Sequence, residues 1–289
     1  MAQNRVATGI DGLDPLIQNG FLPGKSYVVT GDAGTGKTTA CLQFLLKGLT
    51  GGEKAVYVTV DERPSDLLDS AASLGWDLQP YIQDKSLVIL DAAPYFSGRT
   101  GSAREREVDI QRIVTDLGSH INRMEAKRLA IDPVGPLIKA DTPSGRSEEQ
   151  ARLLIRLLQT QLQTTNLLSS HFSGRSDQES SSIEEFLASG VFALRMFRAG
   201  DRYVRALWVK KMRGTAAAPT EYEFNLQNGK GIVLLAPLSQ PLATQPTAGA
   251  AQPIVEGALR PFQVNGAAAA DDSGNAILQP FEPEKLPNK

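Results

Sequence analysis

Between residue 26 and about residue 236, short aliphatic runs alternate with longer stretches whose apolar side chains recur every three or four positions. That rhythm predicts strands and helices taken in turn. The runs SYVVT (Ser26 to Thr30), KAVYVTV (Lys54 to Val60), SLVILD (Ser86 to Asp91), KRLAID (Lys127 to Asp132) and TNLLSSH (Thr165 to His171) predict buried strands of a parallel sheet. Between them, Thr38 to Leu49 predicts a helix, and Arg63-Pro64 opens another with proline in a first-turn position. Ile110, Ile113, Val114, Leu117, Ile121 and Met124 form one apolar stripe at helical spacing, and a leucine-rich helix runs through Leu153 to Leu162.

The rhythm then changes. GVFALRMFR and DRYVRALWVKK, joined at Ala199-Gly200-Asp201, predict a β-hairpin, and YEFNLQNGKGIVLL adds a terminal pair of strands. Parallel strands with crossover helices, followed by antiparallel edge strands, make an α/β doubly wound sheet. After about Pro237 the chain turns to Pro, Ala, Gln and Gly without periodicity, including the run Ala267 to Ala270. Such a segment buries too little apolar surface to offset its ordering entropy. The sequence therefore predicts one domain over 1–237 and a disordered tail over 238–289, in which IVEGALRPF reads as spacer rather than docking peptide.

Composition narrows the partners. A net charge of −2 argues against constitutive coating of a polyanion such as DNA and leaves a local basic loop as the open route to one. The single cysteine, Cys41, excludes an internal disulfide and fits a reducing compartment; on a buried helix it reads as a core thiol. The N-terminus MAQNRVATGIDGLD has no apolar segment of a secretory signal, and no apolar run reaches the roughly 18 residues that span a bilayer. A cytoplasmic protein with no membrane association is expected.

The strongest chemical signal is GDAGTGKT, Gly31 to Thr38, which fits G-x-x-x-x-G-K-[ST] and stands between a strand and a helix. Glycines there let backbone N–H groups converge on phosphate oxygens, and the helix N-terminus adds positive potential. Gly31, Ala33, Gly34, Thr35, Gly36, Lys37, Thr38 and Thr39 are thus candidates to bind ATP. Lys37 is expected to reach the β- and γ-phosphates, and Thr38 to coordinate Mg²⁺. Asp132 closes an apolar strand, where a carboxylate can hold the same Mg²⁺ directly or through water. Asp61 and Glu62 follow the second strand, where one of them can orient and deprotonate an attacking water; equally, they can be acids favoured by the dipole of the helix opening at Pro64. Ser170 and His171 end the fifth strand as candidate γ-phosphate sensors or plain strand caps. Neither His120 nor His171 has neighbours at zinc-ligand spacing.

These segments occur in an order that resembles the KaiC-like branch of the RecA/RadA superfamily, over about 8–236. The resemblance rests on TGIDGLDPLIQNGFLPGKSYVVTGDAGTGKT, YVTVDERPSDLLDSAASLGWDL, LAIDPVGPL, SSIEEFLASGV and VKKMRGT. It implies a RecA-type P-loop NTPase that hydrolyses ATP with Mg²⁺. It also implies a homo-oligomer, a hexameric ring with ATP held between subunits, acting as a regulatory or signalling switch for an unknown protein partner. Lys211 and Arg213 match the family's KMRGT cations, which reach the neighbour's phosphates and stabilise transition-state charge in trans.

The sequence also departs from the family. Asp61 stands where the family carries a glutamate, a methylene shorter at the usual base position, so slow hydrolysis is expected, or Glu62 does the work. Ala216-Ala217-Ala218 follow the KMRGT motif where a histidine is frequent. Glu185-Phe186 fall at the pair that is Ser-Thr in the self-phosphorylating domain, so autokinase activity is not expected. Two other function classes remain: a nucleotide-gated scaffold with little hydrolysis, motivated by Asp61, and a recombinase-like DNA-binding ATPase using Arg99, Arg104, Arg106 and Arg175. The loops carrying those arginines are mixed in charge and poor in aromatics, which disfavours strand binding.

Overall fold

The computed structural model describes residues 4–95, 109–139, 144–171, 187–217 and 220–238. The tail expected over 238–289 lies outside the described residues beyond Leu238. The elements in chain order are β1 (Ser26–Gly31), α1 (Lys37–Leu49), β2 (Ala55–Thr59), α2 (Pro64–Ser73), α3 (Gln79–Gln83), β3 (Leu87–Asp91), α4 (Ile110–Met124), β4 (Arg128–Asp132), α5 (Gly135–Lys139), α6 (Ser144–Gln161), β5 (Thr165–His171), β6 (Gly190–Ala199), β7 (Arg202–Met212), β8 (Glu221–Gln227) and β9 (Gly231–Pro237).

The strands form one nine-stranded sheet in the order β3-β2-β4-β5-β1-β6-β7-β8-β9. Pairing is parallel from β3 across to β6 and antiparallel from there to β9. The hairpin read from the sequence is therefore also a continuation of the parallel sheet: β6 lies parallel to β1 with Gly31 level with Leu194, and turns back at Gly200 only beyond that level. Buried strands with aliphatic side chains on both faces explain why β1, β2 and β4 read as unbroken apolar runs.

Each face of the sheet carries its own core. One packs α1, α2 and the N-terminal segment around Phe21, Tyr27, Phe44, Tyr57 and Phe192. The stacked rings of Phe21 and Tyr27, 3.9 Å between centroids, lie against β1. The other face is covered by α4, α5 and α6 through Ile113, Val114, Leu117, Ile121, Ile155 and Leu158. The α4 stripe matches its sequence expectation, with Asp109 accepting from the Arg112 N–H at the helix start. The leucine-rich helix starts earlier than its apolar pattern reaches, at Ser144, because the sequence of its first turns is polar and carries no periodic stripe.

Two buried polar side chains tie the pieces together. Gln43 of α1 donates to the carbonyls of Gly9, Lys230 and Ile232 and accepts from the Ile232 N–H, fixing β9 to the helix that follows the glycine-rich loop. The β8–β9 turn also meets the end of α2, where the Gly229 N–H donates to the Leu74 carbonyl and Trp76 Nε1 donates to the Gly229 carbonyl. At the opposite edge of the sheet, Arg128 is 4% exposed and donates to Glu53, Ala7 and Phe44.

Candidate functional site

The carboxyl ends of β1, β2, β4 and β5 lie side by side, with Thr59 level with Asp132 and Gly31 level with His171. Ligands of parallel α/β sheets bind at this edge, because helix N-termini and connecting loops converge there. A cleft of about 510 Å³ opens at it, lined by Ala33, Gly34, Gly36, Lys37, Thr38 and Thr39 of the loop and first helical turn. Asp61, Glu62, Asp132 and His171 line it from the neighbouring strand ends, and Leu42, Leu74 and Leu226 supply an apolar side.

The loop has the form that phosphate binding requires. Gly34 and Gly36 have φ of 76° and 108°, in the left-handed region that favours glycine and from which anion-binding nests of backbone N–H groups are built. A side chain at Gly31 would meet the Leu194 carbonyl oxygen and Thr35 Oγ1 at 2.6 Å, so only glycine lets the loop pass β6 so closely. Thr35 Oγ1 donates to the Asp32 carbonyl at 2.8 Å and braces the turn. Lys37, 7% exposed, donates from Nζ to the carbonyls of Gly31 (2.9 Å) and Asp32 (2.7 Å). Burial pulls its ammonium below the usual 10.5, and the charges of Asp132 and Asp32 pull it back up.

Asp132 is 9% exposed at the end of β4. Tyr57 of β2 donates to its Oδ2 at 2.6 Å, and Ser169 of β5 donates to its Oδ1. Glu62 is held at both ends: Thr59 Oγ1 donates to its carbonyl at 2.5 Å, and Ser70 of α2 donates to its Oε1 at 3.3 Å. Burial pushes the Glu62 carboxyl above its usual 4.5, with Asp132 and Asp66 adding to the rise and the Ser70 hydroxyl opposing it. Asp61, beside it, is exposed. Of the acid pair, Glu62 is the one the protein positions.

The structure thus brings together Gly31, Ala33, Gly34, Thr35, Gly36, Lys37, Thr38, Thr39, Asp61, Glu62, Asp132 and His171, and separates Lys211 and Arg213 from them. Lys211 pairs with Val191, level with Val28, and the Arg213 N–H donates to Ser189, whose own N–H donates to Ser26. Arg213 therefore sits at the amino edge of the parallel strands, about 16 Å along them from Gly31 at roughly 3.3 Å per residue. Ser170 is buried on the other side of its strand from His171, and Cys41 is a fully buried thiol whose ionisation burial opposes. Arg99, Arg104, Arg106, Arg175 and Glu185-Phe186 lie outside the described residues. The sequence reading missed Tyr57, Ser70 and Ser169. The two-residue period of β5 puts Ser169 on the side of His171 and is the one signal that could have found it.

The oxygens of Thr38 and Asp132 are hard ligands in one cleft, a donor set that fits Mg²⁺, which takes one or two protein oxygens and completes its shell with phosphate and water. Among the described residues no group of three or more His, Cys, Asp or Glu could hold a metal unaided. None of their helices is long and apolar enough to cross a membrane.

A family model described as ATPase: KaiC matches residues 6–239. The chain is similar to the circadian clock oscillator protein KaiC of Thermostichus vulcanus, 32% identical over 230 residues, covering 79% of this chain and 44% of the relative. The same protein from Parathermosynechococcus lividus is 33% identical over 223 residues, covering 76% and 40%. The chain thus spans less than half the length of these curated relatives. Among solved structures, a KaiC-like protein from the hyperthermophilic archaeon Pyrococcus horikoshii OT3 superimposes with a TM-score of 0.68 at 30% identity, over 81% of this chain and 99% of that one. A match that begins at the N-terminal segment and runs past the last strand covers the whole described fold, and the chain belongs to the KaiC ATPase family of RecA-type P-loop proteins.

Proposed function

We propose that this chain binds Mg-ATP in the cleft at the carboxyl edge of its sheet, hydrolyses it slowly, and uses the nucleotide state to switch an oligomer in regulation or signalling. The observation that carries the reading is the convergence of Lys37, Thr38, Asp132 and Glu62 on one cleft beside a glycine-rich loop of phosphate-binding form. The loop N–H groups from Gly31 to Thr39 cradle the phosphates. Lys37 exchanges its two loop carbonyls for β- and γ-phosphate oxygens, a trade its partial desolvation favours. Thr38 and Asp132 hold Mg²⁺, which neutralises charge on the phosphates.

Glu62 takes the proton of the attacking water. Its carboxyl is raised toward the pH at which a base works well, and Ser70 fixes its direction. Asp61, exposed and a methylene shorter than the family's glutamate, contributes charge to the cleft. Its position also supports the second reading, a scaffold that binds ATP to assemble and hydrolyses little. Lys211 and Arg213 lie too far from their own loop to serve it, which supports their acting on a neighbour's nucleotide across a subunit interface in a ring, with a hexamer the expected closure. The setting is cytoplasmic.

Purified protein is expected to release phosphate from ATP only when Mg²⁺ is present, and to shift from a smaller to a larger assembly by native mass measurement when ATP is added. Assembly without phosphate release would select the scaffold reading. A protein that neither takes up Mg-ATP nor assembles would end both.

A further inference from the structure

We infer that Tyr57 is a positioning residue for Asp132, holding that carboxylate together with Ser169 in the orientation from which it meets Mg²⁺. The inference rests on the function proposed above and deepens it. Thr59, not Tyr57, is level with Asp132 on the neighbouring strand. Tyr57 is two residues short of that level on the same side of β2, roughly 6.6 Å away along the strand, a gap that a phenol can bridge and a serine or threonine cannot.

The ring itself is part of the core, 1% exposed and among the aliphatic side chains on the α1 side of the sheet. Phenylalanine would fill that space equally well and would need no partner for a buried hydroxyl. The hydroxyl's hydrogen bond goes to Asp132 Oδ2 at 2.6 Å. Burial, with the Asp132 charge adding to it, pushes the phenol's ionisation well above its usual range, which favours the protonated, donating form. On the opposite flank, Ser169 donates to Oδ1 from the strand across.

Two donors from two different strands, one on each oxygen, fix both side-chain torsions of Asp132. They leave one lone pair on each oxygen for the cleft. Partners of this kind, behind a metal ligand, typically set metal affinity by ten- to a hundredfold. A merely structural tyrosine would set none of it.

The test uses the full chain and a fluorescent N-methylanthraniloyl-ATP, titrated first in EDTA and then at rising Mg²⁺. Tyr57→Phe is expected to bind the nucleotide in EDTA as wild type does, and to need about tenfold more Mg²⁺ for half of the metal-dependent gain in affinity. Ser169→Ala, which removes the second donor without touching the ring, is expected to shift the same titration in the same direction. It carries the test should Tyr57→Phe fail to fold. Asp132→Asn is expected to lose most of the Mg²⁺ response. Wild type responding to Mg²⁺ while both Tyr57→Phe and Ser169→Ala superimpose on it would overturn this inference alone. Wild type binding no nucleotide, or Asp132→Asn responding as wild type does, would overturn it together with the function on which it rests.

Discussion

Two cations are buried at opposite edges of the parallel sheet, and they are satisfied in different ways. Arg128, at the start of β4, donates to the Glu53 carboxylate at 2.5 Å and to the carbonyls of Ala7 and Phe44 at 2.7 Å, and its guanidinium lies 4.8 Å over the Phe44 ring. Its charge, its Nε and Nη1 donors and its flat face have partners from α1, from the turn between α1 and β2, and from the N-terminal segment. Lys37, after β1, rests on two carbonyls of a glycine-rich loop, while Asp132 and Glu62, which line the same cleft, are engaged by neutral hydroxyls from Tyr57, Ser169 and Ser70. The Arg128 cluster at the amino edge is internally satisfied and serves stability. The carboxyl edge keeps its charges available for a ligand, at some cost in desolvation.

Exchanging function for stability at these two cations is the hardest test of that contrast. Lys37→Ala is expected to lower Mg-ATP turnover by about a thousandfold, the scale of removing a preorganised donor from a transition-state charge. Its melting temperature is expected to change little, because the lysine is already penalised by burial. Arg128→Ala is expected to give the opposite result: about 3 kcal/mol of stability lost, since three acceptors lose a buried donor, with turnover per folded molecule unchanged. Calorimetry and phosphate release on the same samples read both. An Arg128→Ala protein with wild-type melting, or a Lys37→Ala protein that melts far lower, would dissolve the distinction between the two edges.

The acid pair sharpens it further. Glu62→Gln is expected to lower turnover by about a hundredfold, as loss of a general base does, and Asp61→Asn by less than tenfold. The acid limb of the wild-type pH–rate profile should lie above 4.5, because the base must lose a proton that burial helps it keep. Stability follows the same shift with a definite sign. The folded chain holds the Glu62 proton longer than the unfolded chain, so this group lowers stability as pH climbs from about 4.5 through its folded value. Glu62→Gln should therefore melt higher relative to wild type above that window than below it. Equal activity loss in the two amides, or a larger loss in Asp61→Asn, would move the base to Asp61.

Local pattern made much of this legible in the sequence. Unbroken aliphatic runs marked β1 to β5, helical spacing marked α4, and Gly31 to Thr38 announced a phosphate loop because the glycines, lysine and hydroxyl sit within eight positions. Asp61, Glu62 and Asp132 follow strand ends, and strand ends of a parallel sheet share an edge, so their arrival in one cleft was predictable. What stayed hidden depends on register between distant segments. Tyr57 and Asp132 are 75 residues apart, Ser169 and Asp132 37 apart, and Gln43 and Ile232 189 apart. The sequence offers a tyrosine in a strand and a glutamine in a helix, and only the pairing of β2 with β4, or of α1 with β9, says what they touch. Lys211 and Arg213 are the reverse case, given a role by resemblance and a location by the fold.

That location supplies the gentlest test of the contrast between edges. Arg213 belongs to the amino edge but is exposed there, unlike Arg128, and it lies a strand-length from its own loop. If it completes a neighbour's site, the damage from Arg213→Ala and from Lys37→Ala falls on different partners of each interface. A head-to-tail ring mixed from equal parts of the two variants then has interfaces in which an intact Lys37 meets an intact Arg213. Random mixing makes about one interface in four of that kind, so activity is expected to return to about a quarter of wild type although each variant alone is nearly inactive. Activity in the mixture no higher than the mean of the separate variants, with mixed assemblies verified by native mass measurement, would show that Arg213 does its work within its own chain.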